Sequence, residues 1–143
     1  MIEQIKYENK LISIIIYDDF KSEGITFVTP NELSQQLAYM NHPKGKLIDA
    51  HVHNPVPREV TYTQEVLFIK KGKLRVDFYS DPKQYIESRI LNAGDVILLI
   101  QGGHGFEVLE EIEMVEVKQG PYIGEIDKTR FDGVKKENIT FKN

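Results

Sequence analysis

From Lys46 onward the chain runs in short β-like segments separated by turns, and no other feature limits its fold as much. The segments are residues 47–53, 60–70, 74–79, 85–91, 96–100, 105–109 and 112–118. Lys71-Gly72, Asp81-Pro82 and Ala93-Gly94-Asp95 supply turns among them. Seven short strands at this spacing suffice for a jelly-roll barrel, so the expected fold class is mainly β. Val96-Ile-Leu-Leu-Ile100 is apolar at both parities, which predicts a strand covered on both faces by the N-terminal region or by a second subunit.

Upstream of this region, the β-branched residues 11–17 follow a Glu8-Asn9-Lys10 turn and predict an N-terminal β-hairpin with residues 4–7. Thr29-Pro-Asn-Glu32 has the form of a capping box with proline at the first helical position. Leu33, Leu37 and Met40 fall at helical spacing, which predicts one short helix near residues 30–41. After Gly120-Pro121 the chain becomes charged and irregular, as expected of an arm laid on the barrel. The expected organisation is one domain over residues 1–143: hairpin and helix 1–45, barrel 46–120 and C-terminal arm 121–143.

Composition narrows the functions open to such a domain. Eighteen basic residues against 22 acidic ones give a net charge of −4 with no long basic run, which argues against a nucleic-acid partner. No apolar stretch approaches the length of a membrane span, and the N-terminus carries no signal-peptide pattern, so no membrane partner and a cytoplasmic location are expected. Cysteine is absent, leaving imidazole, carboxylate, hydroxyl and amine as the available chemistry.

That chemistry concentrates in a few places. In Ala50-His51-Val52-His53, alternate residues of a strand point to one side, so both imidazoles would face one space. Glu65 shares its side with Leu67 and Ile69, which places a carboxylate inside, where a bound cation would offset its burial. His104 follows a glycine-rich turn, Gln101-Gly-Gly103, that returns the chain toward the barrel. Three nitrogens and one oxygen suit one divalent transition metal ion such as Fe, Mn, Ni, Co, Cu or Zn, with open positions for a substrate or water. Between the His pair and Glu65, residues 54–64 contain Arg58 and Tyr62, which can clamp an anionic or hydroxylated substrate. Lys118 and Tyr122, at the end of the last run, can reach the barrel mouth. Tyr62 and Lys118 are thus candidate proton-transfer residues, and Arg58 and Tyr122 candidate substrate contacts.

The sequence resembles the cupin superfamily across residues 47–109. The first cupin motif has an HxH pair, a glutamate and a glycine seven residues beyond it, matched by His51, His53, Glu65 and Gly72. The second begins with Gly-Asp and ends in a histidine, matched by Gly94-Asp95 and His104. There are two departures: eleven residues separate His53 from Glu65 where three or four are usual, and the proline usual before the last histidine is missing. The resemblance implies a double-stranded β-helix, metal ligands His51, His53, Glu65 and His104, and a homodimer. It also implies a metal-dependent enzyme, of isomerase, epimerase or dioxygenase type, acting on a small polar metabolite. The ending Glu116-Val-Lys-Gln-Gly-Pro-Tyr122 is similar to that of uncharacterised cupins of sugar and surface-polysaccharide pathways, which points toward carbohydrate metabolism. Two alternatives stand beside this reading: a metal-free sugar-nucleotide isomerase or epimerase, and a non-catalytic sensor or binding module.

Overall fold

A computed structural model describes residues 1–142 and shows a mainly β chain built on one curled antiparallel sheet. Eight strands form: β1 (Ile2–Tyr7), β2 (Lys10–Ile16), β3 (Gly24–Phe27), β4 (Ala38–Asn41), β5 (Glu65–Tyr79), β6 (Tyr85–Asn92), β7 (Val96–Leu99) and β8 (Gly103–Lys118). The sheet runs β1-β2-β7-β5-β6, with β8 pairing along the other side of β5, while β3 and β4 make a separate hairpin. Two 3₁₀ turns, Gly124–Asp127 and Lys136–Asn138, lie in the C-terminal segment.

The N-terminal hairpin forms as its sequence predicts, with Ile2 opposite Ile16 and Tyr7 opposite Lys10. The two-sided apolar run of β7 has a direct explanation. Ile97 and Leu99 join the core inside the curl with Ile5, Leu67, Ile69, Val76 and Phe78. Leu98 points the other way and packs with Ile14 and Ile100 beneath Leu33, Leu37 and Val28. Burying Leu98 completely contributes roughly 2 kcal/mol.

The predicted helix near residues 30–41 does not form. Residues 31–35 are turns and bends, and residues 38–41 are strand β4, paired with β3. Side chains hold this loop in place of a helical ladder. Thr29 Oγ1 donates to Gln36 Oε1 at 2.7 Å and accepts from the Leu37 amide at 3.2 Å, while Gln36 Nε2 donates to the carbonyls of Pro30 and Leu33, both at 2.9 Å. Leu33 and Leu37 bury their apolar groups from the loop, and Met40 is exposed on the β3–β4 hairpin. Local side-chain bonding of this kind competes with helix formation.

The predicted strand at residues 47–53 is also missing. The segment 42–64 has no regular structure, and Leu47 and Val52 are 84% and 85% exposed. Two pairs of runs expected to be separate strands are instead continuous, as β5 and β8. The sheet is therefore a half-barrel, open along β8.

An ion pair ties the two ends of the sheet path together across the inner face. Arg89 of β6 donates to Glu3 of β1 at 2.7 and 2.9 Å, and the Tyr17 hydroxyl donates to the other Glu3 oxygen at 2.7 Å. Burial raises the Glu3 pKa, but the hydrogen bonds from Arg89 and Tyr17 outweigh it and hold the carboxyl below its ordinary value. With the folded pKa below the unfolded one, the pair contributes its stability above the ordinary glutamate value of 4.5 and loses it as pH falls through the lowered value. Glu3→Gln should cost about 1 kcal/mol at neutral pH. It should also flatten the loss of stability as pH falls from neutral through and below 4.5, as read from urea denaturation midpoints along that descent.

Candidate functional site

The ladder between β5 and β8 pairs Glu65 with Lys118 at one end and Phe78 with His104 near the other. A straight ladder of that length would separate Glu65 from His104 by about 40 Å. Their side chains are in fact 3.3 Å apart, Nε2 to Oε2. The two strands must therefore fold back on themselves. They do so at register shifts between Ile69 and Leu74, around Gly72. Gly72 has a φ of +87°, and a Cβ there would lie 2.0 Å from the Glu111 carbonyl oxygen.

Glycine is also needed on the approach to His104. Gly102 has a φ of +78°, and a Cβ there would lie 2.4 Å from the Tyr79 carbonyl oxygen. The approach thus passes directly beneath β5 and delivers His104 to the inner face. Register confirms that orientation, since His104, Phe106 and Val108 stand opposite the buried Phe78, Val76 and Leu74. Opposite residues share a face.

The bend creates a cavity of about 700 Å³ at the open end of the curl. Glu65 and His104 lie in its wall with Tyr62, Tyr79, Gln101 and Phe131. The Glu65 side chain is 13% exposed and that of His104 31%. The hydrogen bond to His104 is the main influence that lowers the Glu65 pKa; burial opposes it, and the charges of His104, Lys118 and Lys128 add to it. Glu65 is therefore an anion at neutral pH, able to orient the imidazole. Lys118 Nζ lies 3.9 Å from Glu65 and 3.2 Å from Glu116. The hydrogen bond to Glu116 and its charge raise the lysine pKa, so Lys118 stands as an ammonium beside the two carboxylates.

Of the residues singled out in the sequence, the fold thus gathers Glu65, His104, Lys118 and Tyr62 at or beside one cavity. It leaves the others outside. His51 and His53 stack edge to face, 5.2 Å between ring centroids, on the exposed segment 42–64. Arg58 lies on the same segment, its guanidinium 3.4 Å from the Val56 carbonyl. Tyr122 is 79% exposed. In the single chain His51, His53, Glu65 and His104 do not assemble into a set that fits a metal ion. Glu65 and His104 offer one oxygen and one nitrogen, and among the described residues no three His, Asp or Glu side chains come close enough to hold one.

The C-terminal segment supplies wall residues that the sequence reading missed. Phe131 packs edge to face on Tyr79, with centroids 5.0 Å apart, and the Val134 amide donates to the Tyr79 hydroxyl at 2.9 Å. Asp127, Lys128 and Arg130 also line the cavity. The one signal of their role is an aromatic residue set within a charged stretch, Asp127-Lys-Thr-Arg-Phe131. Farther along, Ser88 donates its amide to the Thr140 carbonyl at 2.9 Å, fixing the segment to β6.

No family model, curated protein or solved structure matches this chain.

Because the bend at Gly72 brings Glu65 to His104, Gly72→Ala should damage the fold and the site together. The substitution forces a left-handed conformation on alanine and a clash with backbone, for a loss of about 3 kcal/mol or more. Thermal unfolding followed by circular dichroism reads that loss directly.

Proposed function

We propose that this chain is a cupin-type enzyme that moves a proton on a small polar metabolite, a sugar or sugar derivative, as an isomerase or epimerase does. The observation that carries this reading is the His104–Glu65 pair, 3.3 Å apart in the wall of a cavity of about 700 Å³. An imidazole held by a carboxylate has its ring orientation and tautomer fixed, so its other nitrogen can take or return a proton. His104 is then the acid–base group and Glu65 the residue that positions it. The remaining wall suits a polyhydroxylated ligand. Tyr62, Gln101 and Thr129 offer hydrogen bonds, Lys128 and Arg130 offer cations to an anionic substituent, and Phe131 and Phe106 offer apolar faces.

The cupin resemblance also implies a metal-dependent form of this chemistry. Glu65 and His104 belong to both readings, so substitution at either one does not separate them, whereas elemental analysis does. About one transition metal ion per chain in protein purified without added metal would support the metal-dependent form.

The catalytic reading is tested in deuterium oxide with a panel of sugars and nucleotide-linked sugars, using proton NMR to detect solvent deuterium entering a carbon position. The wild-type chain should catalyse exchange on at least one compound. His104→Asn should reduce its rate about 10²- to 10⁴-fold, the usual contribution of a positioned acid–base group. Exchange that survives His104→Asn unchanged would rule out this role for His104.

A further inference from the structure

Residues 120–130 form part of the cavity wall through Asp127, Lys128, Thr129 and Arg130, yet they are held only at their two ends. At the near end, next to the last residue of β8, Gln119 Oε1 accepts the Gln64 amide at 2.7 Å. At the far end Phe131 packs on Tyr79, Lys83 Nζ lies 5.8 Å from the Phe131 ring centre, and the Val134 amide donates to the Tyr79 hydroxyl. Glycine makes room for this clasp: a Cβ on Gly103 would lie 2.9 Å from the Phe131 ring. Between the two anchors the hydrogen bonds are internal. Among the described residues, the Lys128 amide donates to the Glu125 carbonyl at 3.2 Å, Arg130 donates to the Glu125 carboxylate, and no bond from residues 120–130 reaches the half-barrel. A segment bonded in this way moves at little cost to the rest of the fold.

Apolar groups are left uncovered on both sides of the cavity mouth. On the span, Tyr122, Ile123 and Ile126 are 79%, 54% and 86% exposed. On β8, Phe106 and Val108 are 41% and 54% exposed although both face inward. Phe106 lines the same cavity as Asp127 to Phe131, so the two apolar sets adjoin one space. Charge favours their approach. Lys128 already helps to hold the Glu65 carboxyl below its ordinary pKa, and Asp127 helps to raise that of Lys118, so each charge on the span faces one of opposite sign in the wall. The backbone is also suited to movement: Gly124 has a φ of +80° with nothing within 4 Å of where a Cβ would stand, and Gly120 lies at the root of the span.

We propose that residues 120–130 are a strap that closes over the cavity, carrying Ile123 and Ile126 onto Phe106 and Val108 and enclosing a bound ligand beside His104. Gly120 and Gly124 absorb the backbone change, while the clasp at Phe131 stays in place. Burial of apolar surface on both sides drives the closure. Enclosing the site excludes water from a proton transfer and holds the substrate there until the strap reopens. As a lid for the reaction proposed above, the strap rests on that reading; the closing movement itself does not.

The chain has no cysteine, so an introduced pair reports on closure alone. In Val108→Cys with Ile126→Cys, closure brings the two thiols within disulfide range, a Cα separation of about 4.4–6.8 Å. Oxidised glutathione should convert this folded variant to an intrachain disulfide, seen as a faster-running monomer on a non-reducing gel. Ile123 is exposed, so adding Ile123→Asp should leave thermal unfolding unchanged while slowing disulfide formation about 10-fold, because closure would then bury a carboxylate. Should the aspartate unfold the chain, Ile123→Ser serves the same comparison. Three results overturn the strap: thiols that take a maleimide but form no disulfide, a disulfide formed only between chains, and a rate that the change at Ile123 leaves as it was. The disulfide-locked chain should catalyse deuterium exchange at least about 10-fold more slowly than its reduced form, since substrate cannot enter. Equal rates overturn the role as a lid. A wild-type chain that exchanges no compound refutes the function proposed above, and the disulfide test still decides the closure.

Discussion

Two long strands must bend at the same point if a sheet of this size is to enclose anything, and here they bend where Gly72 lies against the backbone of Glu111. The ion pairs flanking the bend, Lys71–Glu111 and Lys73–Glu110, are largely exposed and contribute little. The bend is therefore set by backbone, through a glycine in a left-handed conformation and three register shifts. Its consequences are secured elsewhere, by two charged contacts on the inner face. Glu3–Arg89 joins the first and last strands of the sheet path, and Glu65–His104 joins the starts of β5 and β8. Both are at least partly buried, where a hydrogen-bonded charge pair matters more than it does at the surface.

The inner face has two environments that follow from the same curl. Toward β2 and β7 it is filled by isoleucine, leucine and phenylalanine side chains that are almost fully buried. Toward β8 the inward residues change to His104, Phe106, Glu116 and Lys118, and nothing fills the space opposite them. A carboxylate can stay hydrated and ionised at that end, whereas in the filled end its desolvation would cost several kcal/mol. Tyr79 has its ring in the cavity wall and its hydroxyl accepting from the Val134 amide, and so links the C-terminal segment to the cavity.

The β1–β2 hairpin and the positions of β5 to β8 could largely be read from the sequence because they depend on local signals. Turn residues at Glu8-Asn9, Gly94-Asp95 and Asp81-Pro82 mark real turns, and the two-sided apolar run of β7 correctly required cover on both faces. The interval from Glu65 to Gly72 proved informative for a physical reason: it is the distance along the strand from the cavity to the bend. The Gly-Asp pair has a structural reason too. Asp95 accepts the amides of Asp18 and Asn92, at 2.9 and 2.7 Å, and holds the turn into β7. The helix near residues 30–41 was misread because apolar spacing at i and i+4 reports only that Leu33 and Leu37 are buried. A loop braced by Thr29 and Gln36 buries them equally well.

The His-x-His pair marks a different kind of limit. Reading both imidazoles onto one side assumes that residues 47–53 are a strand, and a strand exists only where a neighbour supplies its hydrogen bonds. Whether that neighbour is present is decided by the ladder and not by the seven residues themselves. Side-chain parity can therefore be sound while the element that gives it meaning is absent from the isolated chain. His104 did not carry this dependence, because β5 pairs with the strand that bears it and Gly102 fixes its approach. Glu65 did not either, since it opens a strand paired on both sides, with β7 and with β8. The candidate residues therefore divide by the partner their backbone has: those whose ladder closes within the chain, Glu65 and His104, meet in the cavity wall, and those without a ladder, His51 and His53, lie on an exposed segment.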